Sequence, residues 1–185
     1  QQWGLQSPGQ SLTFGRMIAD SRTSVAFTGH RTYRGAAADA LRRTVGELYA
    51  RGFRNFLSGM AVGFDLAAAE AVLELRERAP GVRLVAAVPF RGQEMRFSPA
   101  DRERFRRVLA EADSVEVLAP AYHRGCYAVR NDFLVYNARV LVAWYDGSPG
   151  GTRYTVRRAL GRGLEVVNLC PAAPVPPAPE PTLFG

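Results

Sequence analysis

The chain has 185 residues, of which 47% are hydrophobic and 22% are charged, so it can form one globular domain with a sizeable core. It has 24 basic residues against 17 acidic ones, and because it contains no lysine, its net charge of +7 comes from arginine alone. The absence of lysine excludes a P-loop nucleoside triphosphatase, since that motif places a lysine on the β- and γ-phosphates.

Cysteine content and hydropathy exclude further classes of protein. Cys126 and Cys170 are too few for a disulfide scaffold and lack the spacing of a zinc or redox site. We therefore expect no metal and a reducing, cytoplasmic location. No apolar run approaches the roughly 18 residues of a membrane span, and the start of the chain lacks the apolar stretch of a secretory signal, so we expect no membrane partner.

Between residues 24 and 169, short apolar runs alternate with longer helical patterns. The predicted strands cover residues 24–28, 53–57, 82–88, 114–118, 140–145 and 164–169. The predicted helices cover residues 36–51, 64–78, about 99–112, 126–138 and 152–161. This alternation predicts an α/β fold, a Rossmann-like three-layer domain with a mostly parallel sheet and helices on both faces.

The two ends of the chain differ from this pattern. We predict an N-terminal arm over residues 1–23, the Rossmann-like domain over 24–170, and a Pro-rich tail over 171–185.

The loop after the first predicted strand carries polar side chains. Ligands of open parallel sheets bind beyond the carboxyl ends of the strands. Thr28 offers a hydroxyl there, Gly29 allows backbone approach, and Arg31 offers a bidentate donor for phosphate or carboxylate. For His30 two interpretations stay open, a general acid–base or a residue that caps the turn.

The loop after the second predicted strand, Ser58–Asp65, opens a helix with two glycines four residues apart, Gly59 and Gly63. Backbone N–H groups at such a helix start form an anion site. Asp65 either caps the helix or bonds a ribose hydroxyl. Glu70 is five residues further and therefore not on the same helix face, so we do not pair it with Asp65.

Two later segments complete the candidate site. Arg130, Asn131 and Asp132 lie in a predicted helix, where they form either a solvated face or a polar face toward the cleft. Gly150–Thr152 precede the next helix and predict a second backbone cradle for an anion.

Together these motifs resemble the YpsA-like branch of the SLOG superfamily, named for the Smf/DprA and LOG proteins. The motifs that carry the resemblance are Thr28–Arg31, Ser58–Asp65 with Glu70, Val88–Phe90, Arg130–Asn131 and Gly150–Thr152. The resemblance implies a Rossmann-like fold and a pocket for a small nucleotide-like ligand: a nucleotide, an NAD derivative or an ADP-ribose-like molecule.

The predicted ligand-binding residues follow from the motifs and the resemblance. They are Thr28, Gly29, His30, Arg31, Gly59, Met60, Ala61, Gly63, Asp65, Pro89, Phe90, Arg130, Asn131, Gly150, Gly151 and Thr152.

The LOG branch resembles a phosphoribohydrolase with the signature Pro-Gly-Gly-x-Gly-Thr-x-x-Glu, in which the glutamate is catalytic. In this chain the loop is shorter and Thr155 stands where that glutamate would fall. Glycosidic cleavage needs a carboxylate, so Asp65 and Glu70 remain the catalytic candidates for an N-glycosidic hydrolase. We favour binding or sensing over catalysis.

The DprA branch binds single-stranded DNA, and a basic chain is compatible with that function. The arginines of helix 101–111 either form a solvated face of i,i+4 ion pairs or contact nucleic acid. Tyr33, Tyr122 and Tyr127 are candidates for base stacking, although core packing also accounts for them. A nucleic-acid partner is therefore not favoured, and the sequence leaves self-association open.

Overall fold

The computed structural model describes residues 20–171. Within them the strands are β1 (Ser24–Gly29), β2 (Asn55–Ser58), β3 (Arg83–Val88), β4 (Ser114–Val117), β5 (Val140–Trp144) and β6 (Glu165–Asn168). The helices are α1 (Ala38–Ala50), α2 (Phe64–Arg76), α3 (Pro99–Glu111), α4 (Cys126–Tyr136) and α5 (Gly151–Gly161). Each predicted strand and helix is confirmed, with only its ends displaced.

The strands form one parallel sheet in the order β4-β3-β2-β1-β5-β6. From the central β1 the chain adds β2, β3 and β4 on one side and then returns to add β5 and β6 on the other. The strand order therefore reverses between β1 and β5, which is where open α/β sheets form a crevice for ligands. The predicted fold class, a Rossmann-like α/β domain, is confirmed.

The sheet is buried on both faces. Alternate residues of β1 point to opposite sides, so that Val25 and Phe27 pack under α1, α2 and α3 while Ala26 packs under α4 and α5. The same alternation places Phe56 on the first side and Leu57 on the second. A strand that is buried on both faces needs apolar residues at nearly every position, and the near-continuous apolar runs of the sequence meet this requirement.

Local hydrogen bonds determine where α3 begins and where α1 ends. At the start of α3 the Ser98 hydroxyl accepts a hydrogen bond from the Asp101 N–H at 3.2 Å, and Pro99 occupies the first turn, which confirms the predicted cap. The predicted start of β2 at Phe53 is wrong. Gly52 has a φ of 100°, and the Phe53 N–H donates to the Leu48 carbonyl, so Phe53 closes α1 instead.

The predicted arm and tail lie mostly outside the described residues. Of the predicted arm, residues 20–23 are described, and Ser21–Thr23 form a short 3₁₀ turn that leads into β1. The predicted Pro-rich tail lies outside the described residues apart from Pro171. Across residues 20–171, no helix is long and apolar enough to span a membrane. Cys126 and Cys170 are both buried free thiols.

Candidate functional site

A pocket of about 310 Å³ opens at the carboxyl ends of β1, β2 and β5, at the point where the strand order reverses. Its lining combines the end of β1 and the loops after β1 and β2 with the first turns of α2 and α5 and the first half of α4. The lining residues are Thr28, Gly29, His30, Arg31, Ala61, Asp65, Tyr127, Arg130, Asn131, Gly151 and Thr152. The structure thus brings together ten of the predicted residues and adds Tyr127 to them.

Asp65 is the acidic group of the pocket and is only 4% exposed. Its Oδ2 accepts a hydrogen bond from the Ala61 N–H at 3.3 Å, whereas its Oδ1 is buried and has no partner among the described residues. Burial raises the pKa of Asp65 to about 6, although the charges of Arg130 and Arg31 and the Ala61 hydrogen bond oppose this shift. One oxygen therefore holds its own turn, and the other is a buried acceptor without a hydrogen-bond donor among the described residues.

Arg130 is the basic group of the pocket and is 6% exposed. It lies in the middle of α4, where its Nη1 donates to the Gly59 carbonyl and its Nε donates to Asn131 Oδ1 at 2.8 Å. Burial lowers the pKa of Arg130, and the charge of Asp65 opposes that change. Of the two interpretations of this segment, the cleft-facing one is correct for Arg130 and Asn131. Asp132 lies on the outer surface of the same helix.

Asp65 and Arg130 attract each other, but no nitrogen–oxygen contact within 4.0 Å joins them among the ion pairs of residues 20–171. Buried opposite charges usually meet in a hydrogen-bonded pair, because removal of each charge from water is costly. Here both residues line the cavity, and each has an atom without a hydrogen-bond partner among the described residues: Oδ1 of Asp65 and Nη2 of Arg130.

A second arginine lies at the mouth of the pocket. Arg31 is exposed, and its guanidinium lies 5.2 Å from the centre of the Tyr127 ring. The guanidinium of Arg130 lies 5.7 Å from the same ring centre. Tyr127 therefore contacts both arginines through cation–π interactions, and this keeps two positive charges beside the cavity.

The turn between β2 and α2 is closed, contrary to the prediction that it offers backbone to a ligand. A Cβ on Gly59 would lie 2.8 Å from Arg130 Cδ, and one on Gly63 would lie 2.6 Å from the Arg31 carbonyl oxygen. These glycines are required by their own protein neighbours. Met60 is fully buried with a φ of 61°, so its side chain belongs to the core.

The starts of α2 and α5 differ in whether their backbone N–H groups have hydrogen-bond acceptors. At α2 the Phe64 N–H donates to the His30 carbonyl and the Leu66 N–H donates to the Ala61 carbonyl. At α5 neither the Gly151 nor the Thr152 N–H donates to an acceptor within the described part of the chain. Of the two predicted anion cradles, the one before α2 therefore has two of its helix-start N–H groups bonded within the protein, whereas at Gly150–Thr152 the first two helical N–H groups have no described acceptor.

The conformation of the α5 turn explains why it stays open. Gly150 has a φ of 136°, and a Cβ built on it would meet no atom within 4 Å. Gly151 meets only the Asn131 amide, at an ordinary 3.6 Å. Gly150 does not line the pocket itself, but it caps α5 in a conformation that favours glycine, and the first N–H groups of the helix follow it.

His30 connects the loops after β1 and β5. The Asp146 N–H donates to His30 Nε2 at 3.1 Å, and the same ring nitrogen lies 2.8 Å from Asp146 Oδ1. The pKa of Asp146 is lowered, first by the hydrogen bond from the Ser148 hydroxyl and to a smaller extent by His30. The turn-capping interpretation of His30 accounts for these contacts, while its ring also lines the pocket.

Three further predicted site residues have structural explanations. A Cβ on Gly29 would lie 2.4 Å from the Phe64 Cβ, so packing against α2 requires this glycine. Pro89 and Phe90 are buried outside the pocket, and Phe90 packs against Ala119 and Cys126. The prediction that Pro89 and Phe90 bind the ligand is not supported, because neither residue lines the cavity and Phe90 packs behind Tyr127.

The structure separates Glu70 from the pocket. Its carboxylate accepts hydrogen bonds from the Arg104 guanidinium of α3, with Nε at 2.9 Å. Of the two catalytic candidates, only Asp65 lines the cavity. Across residues 20–171, no group of three His, Cys, Asp or Glu side chains is placed to hold a metal.

The tyrosines predicted to stack on bases fall into different environments. Tyr33 is buried between Phe64 and Trp144, so of its two interpretations core packing is correct. Tyr122 is 51% exposed beside Phe90, with the Arg96 guanidinium 4.4 Å from its ring centre. Two other tyrosines, Tyr136 of α4 and Tyr154 of α5, are also exposed and were not predicted from the sequence; the packing of α4 against α5 brings them to one face.

Comparison with known proteins identifies relatives of this chain. The YpsA family model, described as the YspA SLOG family, matches residues 26–163. A UPF0398 protein of Shouchella clausii is 38% identical over 94 residues, which cover 49% of this chain and 50% of the relative. A UPF0398 protein of Bacillus thuringiensis is 29% identical over 132 residues, which cover 70% of this chain and 71% of the relative.

Solved structures with a similar fold include two DNA processing proteins A. That of Streptococcus pneumoniae has a TM-score of 0.57 at 20% identity and covers 78% of this chain, although this is only 49% of the other protein. That of Helicobacter pylori, which has a known single-stranded DNA binding mode, has a TM-score of 0.53 at 17% identity and covers 80% of this chain and 66% of the other. At these identities the likeness concerns the fold alone.

The family match covers most of the chain, including every residue that lines the pocket, and the fold agrees with it. The chain therefore belongs to the YpsA family of SLOG proteins.

Proposed function

We propose that this domain binds a nucleotide or a nucleotide derivative, such as an NAD derivative or an ADP-ribose-like molecule, in the pocket between β1 and β5. The observation that carries the proposal is the pair Asp65 and Arg130, two buried opposite charges that face one cavity without forming an ion pair. A ligand with both an anionic group and a hydroxyl group satisfies both residues at once.

The phosphate end of the ligand lies at the start of α5. The free N–H groups of Gly151 and Thr152 point to this position, and the positive end of the helix dipole favours an anion there. Arg31 and Arg130 supply charge from the opposite wall. Phosphate has enough oxygens to accept from the backbone and from a guanidinium together.

The sugar end of the ligand lies at Asp65. Its unpartnered Oδ1 accepts a hydrogen bond from a ribose hydroxyl, while Oδ2 stays bonded to the Ala61 N–H. A hydrogen bond to a charged acceptor contributes about 1.5–3 kcal/mol. The cavity volume of about 310 Å³ lies at the lower end of the ligand pockets of about 300–1,000 Å³, so one nucleotide unit fills it.

Calorimetric titration with several small probes tests this function. The probes are inorganic phosphate, AMP, ADP, NAD and ADP-ribose. Arg31→Gln is expected to weaken all of them by about tenfold through the loss of one charge-assisted contact. Asp65→Asn is expected to weaken the nucleotides but not inorganic phosphate, because phosphate has no sugar hydroxyl for this carboxylate.

Arg43→Gln is the matched control, since it removes an exposed arginine of α1 outside the pocket. It should bind each probe as the wild type does. Absence of binding by every nucleotide at millimolar concentration would contradict the proposal, as would equal losses in the control.

A second candidate function is N-glycosidic hydrolysis of a nucleoside monophosphate or NAD-type substrate. The burial that raises the pKa of Asp65 to about 6 favours it, because a group with such a pKa can exchange a proton near neutral pH. In this hypothesis Asp65 activates water at the anomeric carbon. Chromatography should then detect free base with the wild type and none with Asp65→Asn, and unchanged release by the variant would contradict a role for Asp65.

A further inference from the structure

A second concave surface lies on the outer side of α5, separate from the pocket. It encloses about 660 Å³ and is lined by α5 side chains together with Gly150. The term arginine face is used here for six residues on this side of α4 and α5: Tyr136, Arg153, Tyr154, Arg157, Arg158 and Arg162. The proposed function does not use any of these residues.

The charge of the arginine face is unbalanced. Residues 151–162 contain four arginines and no acidic residue, and Asp132 of α4 pairs with only one of them, Arg158. Among the ion pairs within residues 20–171, none involves Arg153, Arg157 or Arg162. By contrast, residues 99–111 of α3 contain four arginines and three acidic residues. The excess positive charge therefore lies on α5 rather than on α3, whose arginines were the predicted candidates for contact with nucleic acid.

Two tyrosines lie next to these charges. Tyr136 and Tyr154 are 46% and 40% exposed, whereas most large apolar side chains of the described domain are buried. The Arg162 guanidinium lies 4.0 Å from the Tyr136 ring centre, and the Tyr154 hydroxyl donates to Asp132 at 2.8 Å. These contacts fix the rings and leave part of each ring surface open to solvent.

The spacing of the charges suits a linear anion. Arg153, Arg157 and Arg162 follow one another at four and five residues, which corresponds to about 6–8 Å along the helix axis. At about 100° per residue Arg153 and Arg162 lie on opposite edges of the concave surface that all three line, with Arg157 between them along the axis. A phosphate backbone presents charges at regular intervals and can cross this surface from one edge to the other. Aromatic rings beside the row provide stacking surfaces for bases that are not already paired.

We infer that the arginine face binds single-stranded nucleic acid, with phosphates on Arg153, Arg157 and Arg162 and bases stacked on Tyr136 and Tyr154. A duplex satisfies the arginines but offers no free base to the rings. An acidic peptide or an anionic membrane also satisfies the charges but makes less use of the exposed aromatic surface. The inference is independent of the pocket and of its nucleotide.

Fluorescence anisotropy with a labelled oligothymidylate of about 12 nucleotides, within the site sizes of single-strand binding folds, tests the inference. Three phosphate contacts give a slope of log affinity against log salt of about −2, so the affinity falls about 20-fold between about 50 and 200 mM salt. The triple substitution Arg153→Gln, Arg157→Gln and Arg162→Gln should remove most of this salt dependence. Arg157 and Arg162 are exposed, Arg153 is half-buried, and none of the three forms an ion pair within residues 20–171, so we expect the variant to fold.

The matched control substitutes three exposed arginines on the other side of the sheet by glutamine, Arg78, Arg106 and Arg107. Net charge changes equally in both variants. A loss confined to the α5 variant supports the arginine face, and equal losses would overturn it because general charge then explains binding. Binding of no oligonucleotide at low salt would also overturn it.

The stacking part of the inference has its own test. Tyr136→Leu and Tyr154→Leu are each expected to weaken single-strand binding by about five- to 150-fold, the range for loss of one stacked base. Duplex DNA, polyglutamate and phosphatidylserine vesicles serve as competitors. If any of them displaces the oligonucleotide at a lower concentration than an unlabelled single strand does, the assignment to single-stranded nucleic acid is wrong.

Discussion

Asp65→Asn is the substitution that most sharply tests the electrostatics of the pocket. The wild-type carboxyl has a pKa of about 6 in the folded protein because burial penalises its charge. The pKa of an aspartate in the unfolded chain is about 3.9, and the difference between these values corresponds to about 3 kcal/mol. Asparagine keeps the size and an acceptor for the Ala61 N–H but carries no charge.

The sign of the effect follows from proton binding. Between about pH 4 and pH 6 the folded wild type holds a proton on Asp65 that the unfolded chain has already lost. Wild-type stability due to this group is therefore fully present below about pH 4 and is lost as the pH rises through about 6. Relative to the wild type, Asp65→Asn should gain about 3 kcal/mol in free energy of unfolding between pH 4 and pH 7, and no more above that.

Urea unfolding of both proteins at several pH values between about 4 and 8 measures this difference. Asp39→Asn, which removes an exposed carboxylate of α1, is the control and should change the free energy of unfolding by at most about 0.5 kcal/mol. A flat difference between wild type and Asp65→Asn would refute the reasoning. A wild type that gains stability over Asp65→Asn as pH rises would also refute it, because the charges of Arg130 and Arg31 would then more than compensate the burial of the carboxylate.

Three other substitutions give simple outcomes. Gly29→Ala should lower the free energy of unfolding by about 1–3 kcal/mol, because the added Cβ would lie 2.4 Å from the Phe64 Cβ. Urea unfolding measures this change, and an unchanged unfolding midpoint would contradict the prediction. Glu70→Gln should leave nucleotide binding in calorimetry unchanged, since this carboxylate pairs with Arg104, and loss of binding would place it in the site. Gly150→Ala should weaken nucleotide binding in the same assay, because the φ of 136° of Gly150 at the start of α5 is unfavourable for alanine. Wild-type affinity of this variant would contradict the prediction.

The order of elements and the fold class could be predicted from the sequence because parallel strands that are buried on both faces are almost uniformly apolar. The run Val25–Phe27 and the runs at β3 and β5 show this pattern, and Gly or Pro residues mark their ends. The end of α1 was harder to predict, because Phe53 is apolar whether it begins a strand or closes a helix. Only the bond from its N–H to Leu48 decides between the two.

The candidate site could be predicted only as a set of loops. Both glycine-rich turns fit an anion cradle in sequence, but glycine is also required where another part of the protein approaches closely. Gly59 and Gly63 make room for Arg130 and for the Arg31 carbonyl, whereas the space around Gly150 is open. Whether the space around a glycine is open or filled depends on contacts with residues distant in the sequence, and no local pattern encodes these contacts.

The arginine face was missed for a related reason. The arginines of α3 attract attention because they are dense, but interspersed acids compensate them, whereas those of α5 lack acidic neighbours within the helix. A count of net charge for each helix would have singled out α5. Exposure of Tyr136 depends on how α4 packs against α5 and could not be predicted from the sequence.

A crystal structure with the nucleotide that binds tightest in calorimetry tests the central claim most directly. We expect a phosphate oxygen within about 2.7–3.2 Å of the Thr152 N–H and a sugar hydroxyl at the same distance from Asp65 Oδ1. A nucleotide bound with its phosphate at the start of α2, or bound without contact to Asp65 and Arg130, would contradict the account.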